Sequence, residues 1–123
     1  MRGNRDIFLL RSLPQVLRLE FEGIPLVLTH GHGTWGDYVV DRVYYELHGY
    51  NLPRYRSRLL RTYPQARVIV FGHTHFVENH WVGEQLVFNP GTPRYTTEHG
   101  QRPSLGLLYF EHGNVRGEIV HLE

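Results

Sequence analysis

The chain has 123 residues, of which 41% are hydrophobic and 20% are charged, and its formal net charge is +1 with histidine neutral. This length and composition predict one globular domain with its own core, and the balanced charge argues against a nucleic-acid-binding surface. Because the sequence contains no cysteine, disulfides and thiolate zinc sites are excluded.

The longest apolar runs are only as long as a strand, as at residues 24–28 and 68–71. Runs of this length are too short to cross a membrane, and the polar first residues lack the apolar region of a secretory leader. We therefore expect a cytoplasmic protein without a membrane partner.

A β-hairpin is the first regular structure that the sequence predicts. Residues 16–21 lead to a turn at Glu22 and Gly23, and residues 24–29 follow as a mostly apolar strand. The second strand ends at a Gly-rich run that begins at His30.

Two helices are predicted next. Residues 35–47 carry apolar and aromatic side chains at helical spacing, which predicts a helix with an apolar stripe. The stripe consists of Tyr38, Val39, Val43, Tyr44 and Leu47. Residues 54–63 predict a second helix that ends before Pro64, with Leu59 and Leu60 facing inward and the arginines facing outward.

The rest of the chain is predicted to consist mainly of strands. They are expected at residues 67–71, 76–82, 86–88, 104–110 and 115–122. Residues 89–93 are expected to form a loop, and the last two strands a closing hairpin. This order of a hairpin, two helices and a run of strands predicts a layered α/β fold.

Three of the predicted strands end at a glycine beside polar side chains that commonly bind ligands. The segments are residues 28–32, with His30 and His32, residues 70–75, with His73 and His75, and residues 88–91, with Asn89. Sites gather at the carboxyl ends of strands in α/β sheets, and residues two apart on an extended chain face the same side. We therefore expect His73 and His75 to share a pocket with His30, as a metal site or a phosphate site.

The other five histidines are expected at the surface or in ordinary hydrogen bonds. They are His48, His80, His99, His112 and His121.

Four motifs, in chain order, resemble those of the calcineurin-like metallophosphoesterase superfamily. They are Gly3-Asn4-Arg5-Asp6, Thr29-His30-Gly31-His32, Gly72-His73-Thr74-His75 and Asn89-Pro90-Gly91. The sequence is most similar to the small bacterial and archaeal phosphodiesterases of that group, which are relatives of the retromer small subunit. The resemblance implies one metallophosphoesterase domain over residues 1–123, with a layered α/β/β/α sandwich.

The same resemblance implies the chemistry of the site. Asn4, His30 and His73 are the expected ligands of the second of two divalent ions, and His75 is an expected ligand of the first. These four residues are the candidate catalytic residues of a phosphoesterase, more specifically a phosphodiesterase, that uses a metal-bound hydroxide. The ions implied are manganese, iron, nickel or zinc. The expected partner is a phosphate ester, with nucleic acid only as a nucleotide-type substrate.

Four further residues are expected to support the site without binding metal. His32 lies next to a ligand position, while Asp6 and Asn89 are expected to fix ligands or loops, with capping or turn roles as the alternative for both. Arg5 is either a cation near the phosphate or an arginine that faces solvent.

The sequence departs from the family pattern at two motifs. The Asp-x-His and Gly-Asp motifs, which supply the remaining ligands of the first metal and the bridging carboxylate, do not occur. The Gly36-Asp37 pair comes after His30, in the wrong order, and at a predicted helix start, where aspartate caps well.

We therefore expect an N-terminally truncated domain that lacks the first strands and helices of the fold. Such a chain is expected to be incomplete or inactive alone and to hold at most one metal ion well. A sheet edge left uncovered in this way favours self-association.

Two questions about function and the helical segment have two possible answers each from the sequence. The chain is either an enzyme or a non-catalytic protein-binding scaffold of the same fold. Residues 33–66, which are rich in tyrosine and arginine, either cap the substrate or simply cover the sheet as two amphipathic helices.

Overall fold

The computed structural model describes residues 12–31, 34–49, 51–94 and 101–122, which form two helices and seven strands. In chain order these are β1 (Val16–Phe21), β2 (Ile24–Thr29), α1 (Trp35–His48), α2 (Leu52–Thr62), β3 (Val68–Phe71), β4 (Val77–Val82), β5 (Gln85–Pro90), β6 (Ser104–Glu111) and β7 (Asn114–His121). Each element predicted from the sequence is present. In the described part of the chain, no helix is long and apolar enough to cross a membrane.

Five strands form one sheet in the order β1-β2-β3-β5-β4. The central strands β2, β3 and β5 are parallel, while β1 and β4 pair antiparallel on either side of them. The connection from β2 to β3 contains both helices, because parallel neighbours need a crossover. Strands β6 and β7 form a separate antiparallel hairpin.

The turn between β1 and β2 explains the register of the first hairpin. Glu22 and Gly23 both have positive φ, 50° and 77°. Two consecutive residues of this kind match the right-handed twist of the flanking strands. The turn pairs Phe21 with Ile24, and the ladder continues to Val16 and Thr29.

Local capping sets the ends of the helices. Thr34 caps α1 in a reciprocal capping box with Asp37, and the helix ends at Gly49, whose φ is 79°. Helix α2 begins two residues before its predicted start, because the Asn51 side chain accepts a hydrogen bond from the backbone N–H of Arg54 at 3.1 Å. Tyr63 is its C-cap residue.

The core consists of two clusters, one on each face of the sheet. Between the sheet and the β6–β7 hairpin lie Ile24, Leu26, Val68, Leu86, Phe88 and Val115. On the helical face lie Val27, Leu59, Ala66, Ile69, Phe71 and Val87. Neighbours such as Val68 and Ile69 enter opposite clusters because strand side chains alternate. The layered α/β fold predicted from the sequence is confirmed.

Two glycines let the β6–β7 hairpin approach the sheet closely. A Cβ atom on Gly106 would lie 2.5 Å from the ring of Phe88, and one on Gly117 would lie 2.8 Å from the same ring. Real Cβ atoms do not come this close to another heavy atom. The backbone of the hairpin therefore packs directly against the ring of Phe88 at these two glycines.

Helix α1 is oriented differently from the prediction. The apolar residues Val39, Val43 and Leu47 are exposed, at 54%, 53% and 71%, whereas Asp41 is buried. The physical reason is an ion-pair cluster in which Asp41 receives both Arg54 and Arg58 of α2. The expectation that the arginines of α2 face outward is wrong for Arg54 and Arg58, and also for Arg56, which pairs with the buried carboxylate of Glu78, although Leu59 is buried as predicted.

Candidate active site at the carboxyl ends of the parallel strands

Strands β2 and β3 bring two of the candidate histidines together. Thr29, the last residue of β2, pairs with Phe71, the last residue of β3, and the backbone N–H of Gly72 donates a hydrogen bond to the carbonyl oxygen of His30 at 3.3 Å. Because the strands are parallel, the residues that follow them lie at the same edge of the sheet.

The imidazole rings of His30 and His73 lie side by side at this edge. Their centroids are 5.2 Å apart and the rings meet at 72°, edge to face. Both residues are partly buried.

The chain around His73 and His75 is not extended. Both residues have left-handed backbone conformations, with φ of 67° and 64°, so the argument that two alternate residues of a strand face the same side does not apply here. Left-handed non-glycine residues cost about 1–3 kcal/mol each and persist where the surroundings impose them. His75 is exposed, whereas His73 is partly buried.

The side chain of Asn89 stabilises this strained turn by three hydrogen bonds. Its side-chain amide donates to the carbonyl oxygen of Gly72 at 3.2 Å and to the hydroxyl oxygen of Thr74 at 3.0 Å. Its Oδ1 accepts a hydrogen bond from the backbone N–H of Gly91 at 2.9 Å. Asn89 lies at the end of β5 rather than in the predicted loop, because the strand continues to Pro90.

Two tyrosines from the helices border His73. The ring centroid of Tyr55 lies 5.8 Å from that of His73, and the centroid of Tyr38 lies 6.1 Å away. The sequence stripe predicts Tyr38 as an inward residue of α1, and the alternative of a substrate cap over residues 33–66 includes both tyrosines without placing either beside a particular histidine. Their spacing along two separate helices contains no signal of this proximity.

Arg58 connects the helices with the strand ends. Its Nη2 donates a hydrogen bond to the carbonyl oxygen of Gly31 at 2.8 Å, and its Nη1 pairs with Asp41. Its guanidinium carbon lies 5.2 Å from the ring centre of Tyr55. A cavity of about 360 Å³ lies beside these groups and is lined in part by Gly31, Asp37 and Arg58. Its size is in the range of small-ligand sites.

Asp37 has a structural role in the described chain. The backbone N–H and the hydroxyl of Thr34 both donate to its Oδ2 at 2.8 Å, and these bonds to the charged form lower the pKa of its carboxyl group. The expected position of Asp37 at a helix start is confirmed, with Thr34 as the N-cap residue.

Several sequence-predicted residues lie outside the described ranges. They are Asn4, Arg5, Asp6, His32 and His99. Within the described ranges, no group of three or more His, Cys, Asp or Glu side chains is placed to hold a metal ion. The described part of the candidate site is therefore the His30–His73 pair, with His75 in the same turn.

The remaining described histidines lie elsewhere. His48, His112 and His121 are exposed, and His48 stacks on Tyr44 with ring centroids 4.6 Å apart. His80 lies 3.4 Å from the buried carboxylate of Glu78.

Comparison with protein families gives one match that covers most of the chain. The family model for the calcineurin-like phosphoesterase superfamily domain matches residues 1–113. No protein of curated function matches the sequence.

Three solved structures illustrate the similarity of the fold. A Thermotoga maritima protein is 26% identical, with a TM-score of 0.52 over 91% of this chain and 57% of that protein. A predicted phosphoesterase of Streptococcus pneumoniae is 18% identical, with a TM-score of 0.61 over 97% and 59% of the two chains. Vps29 of Entamoeba histolytica, in complex with zinc, is 20% identical, with a TM-score of 0.58 over 89% and 62%.

The present chain thus spans 57–62% of the lengths of these three proteins. At identities of 18% and 20%, the last two share the fold alone.

Proposed function

Because the chain belongs to the calcineurin-like phosphoesterase superfamily, we propose that it serves in metal-dependent hydrolysis of a phosphate ester, specifically a phosphate diester. The observation that carries this proposal is the 5.2 Å separation of the His30 and His73 rings at the ends of adjacent parallel strands. Both histidines belong to motifs at which the family binds metal.

The donor chemistry of the described residues fits a divalent ion. Neutral imidazole is a ligand for manganese, iron, nickel and zinc, and two imidazoles lie next to each other here. Asn4, outside the described residues, is the proposed third ligand of this ion. His75 is proposed as a ligand of the family's other ion. When bound, such ions polarise the phosphoryl group and lower the pKa of water.

The chain's own residues have distinct proposed tasks. His30 and His73 bind through ring nitrogens, and the buried amide of Asn89 keeps the turn that carries His73 in its left-handed form. Asn4 also contacts the substrate phosphate, Arg5 adds a cation there, and Asp6 and His32 support the ligands. Because the sequence lacks the Asp-x-His and Gly-Asp motifs, we propose that this chain alone holds at most one ion tightly.

The helical segment of residues 33–66 is proposed to have both of the roles considered for it. Leu59 packs in the core on the sheet, while Tyr38 and Tyr55 lie next to His73. The partly buried ring of Tyr38 suits the leaving group of a diester, because it offers apolar contact beside the reacting phosphate, whereas Tyr55 is buried and has the guanidinium group of Arg58 over its ring. This arrangement favours a cap that is also part of the core.

Titration of the chain with ZnCl₂ tests the metal site. We expect binding of one equivalent that weakens at least about tenfold in His30→Ala and in His73→Ala. The matched control is His112→Ala, because His112 is exposed and lies on a different hairpin. Affinities that are equal in the parent and both ligand variants would exclude the site.

Hydrolysis of bis-p-nitrophenyl phosphate with MnCl₂ then tests the reaction. Activity above that of the His73→Ala variant supports a hydrolase. Equal rates in both are expected of this chain alone, because the sequence lacks the Asp-x-His and Gly-Asp motifs. The assay is therefore repeated after a segment with these two motifs has been added: restored activity supports an incomplete enzyme, and unchanged rates favour the scaffold alternative. One observation favours that alternative independently: the exposed apolar stripe of α1, formed by Val39, Val43 and Leu47, is the kind of surface that binds another protein.

A further inference from the structure

Contacts of Arg58 close a ring of residues around the candidate site. Its Nη2 donates to the carbonyl oxygen of Gly31, the residue directly after His30. Its guanidinium group lies over the ring of Tyr55, and that ring lies 5.8 Å from the ring of His73. His73 in turn lies against His30. One side chain from α2 thus touches both strand-end loops, directly at Gly31 and through Tyr55 at His73.

Asp41 holds this guanidinium group in place. The Asp41 side chain is 3% exposed and the Arg58 side chain 16% exposed, so their ion pair is largely removed from solvent. Arg54 pairs with the other oxygen of the same carboxylate at 3.1 Å. A buried carboxylate with two cationic partners fixes the rotamers of both, because any other position would leave a buried charge without compensation.

Arg56, two residues earlier, provides a natural comparison. It also comes from α2 and also pairs with a carboxylate whose side chain is 3% exposed, that of Glu78, at 3.2 Å. It donates a hydrogen bond to Glu78 on the edge strand β4, whereas Arg58 donates to the carbonyl oxygen of Gly31. Each arginine therefore joins α2 to a buried carboxylate, Arg58 to that of α1 and Arg56 to that of β4, but of these two only Arg58 contacts the loop of His30 in the described structure.

We propose that Arg58 is a positioning residue for the metal-binding loops, which sets the relative placement of His30 and His73. This inference rests on the proposed metal-dependent function. A planar guanidinium group can donate to Gly31, pair with Asp41 and stack on Tyr55 at the same time, and an ammonium group cannot. Arg58→Lys keeps the charge that compensates Asp41 and removes the planar geometry.

Zinc binding by the full chain is the first test, measured by isothermal titration calorimetry with ZnCl₂. We expect Arg58→Lys to weaken binding about tenfold, as changes in residues that orient metal ligands do, and Arg56→Lys to leave the Kd unchanged. An unchanged Kd in Arg58→Lys would overturn the proposal. An equal loss in both variants would also overturn it, because it would indicate general destabilisation of the helix docking.

Nuclear magnetic resonance of the metal-free chain is the second test. We expect Arg58→Lys to shift the backbone amide signals of Gly31 and Gly72 and the ring signals of His73, while Arg56→Lys leaves these signals in place. Unshifted signals in Arg58→Lys would overturn the proposal even with zinc binding intact in the parent.

A parent chain that binds no zinc would instead refute the proposed function. If the nuclear magnetic resonance signals of Gly31, Gly72 and His73 still changed in Arg58→Lys in that case, Arg58 would have a structural role only.

Discussion

The side-chain amide of Asn89 donates a hydrogen bond to the hydroxyl oxygen of Thr74, and both side chains are completely buried beneath the turn that carries His73 and His75. The same amide also donates to the carbonyl oxygen of Gly72. The turn therefore depends on a polar group that has no access to water, and replacement of that group leaves its partners unsatisfied.

Asn89→Ala is expected to lower the free energy of unfolding by about 2 kcal/mol, because it removes the donor to Gly72 and Thr74 and the acceptor of Gly91. Urea denaturation followed by circular dichroism measures the change. Asn114→Ala is the control, since Asn114 is exposed and should change stability by less than about 0.5 kcal/mol. Equal effects of the two substitutions would contradict the role assigned to Asn89.

The Asp41 carboxylate is expected to be the most sensitive ion-pair position of the helices. Asp41→Asn leaves Arg58, whose side chain is 16% exposed, without its counter-charge, which costs about 3 kcal/mol in a buried pair. Arg42→Ala breaks the Arg42–Glu46 pair, whose side chains are 63% and 59% exposed, and should cost about 0.3–0.5 kcal/mol. Thermal denaturation of both variants compares the two, and a cost in Asp41→Asn as small as in Arg42→Ala would refute the expectation.

Stability of α1 is expected to depend on pH through Asp37. The hydrogen bonds from Thr34 lower the pKa of this carboxyl below its ordinary value of 3.8. The unfolded chain therefore binds the proton more readily, so the stabilisation is complete above pH 3.8 and is lost as the pH falls below it through the folded-state pKa.

Asp37→Asn should therefore be less stable than the parent at pH 7, and the difference should shrink below pH 3.8. Denaturation curves at pH 7, 4 and 3 measure it. Glu84→Gln, at an exposed position in the turn between β4 and β5, should show no such trend; a constant difference between parent and Asp37→Asn at all three pH values would argue against the capping box.

Self-association is expected through the exposed stripe of α1. Val39, Val43 and Leu47 lie on one side of the helix and are more than half exposed, and an apolar stripe of this kind gains by burial against a second surface. Sedimentation velocity should show species larger than a monomer for the parent and a shift toward the monomer for the double variant Val43→Glu and Leu47→Glu. The control is Glu46→Gln, at an exposed position of the same helix, and a monomeric parent at all concentrations would count against association.

Most of the fold can be predicted from local patterns of apolar and turn residues in the sequence. Apolar runs between turn residues predict the strands. The central strand around Val68 is covered on both faces, because its side chains alternate between the two core clusters, and a strand buried on both faces is a continuous apolar run. The start of α2 differed by two residues because a cap at Asn51, rather than the apolar spacing, determines it.

The orientation of α1 could not be predicted from its own sequence. Hydrophobic spacing favoured the valines as the inner face, but the partners that pull Asp41 inward, Arg54 and Arg58, lie on another helix. The candidate site also depends on contacts between distant parts of the chain. The sequence predicts that His30 and His73 lie close together, because both follow strand ends. It does not predict the left-handed turn at His73 and His75, because that turn depends on Asn89, at the end of a different strand.

The two glycines that face Phe88 have a consequence for mutational scanning. Any side chain at Gly106 or Gly117 would overlap the aromatic ring, so a saturation library should show both positions as intolerant as the proposed ligand histidines. Strands β6 and β7 carry none of the four proposed ligands. Intolerance to substitution would therefore indicate a second functional region on this hairpin, although the cause there is steric. Titration with a metal ion distinguishes the steric positions from the proposed ligand positions.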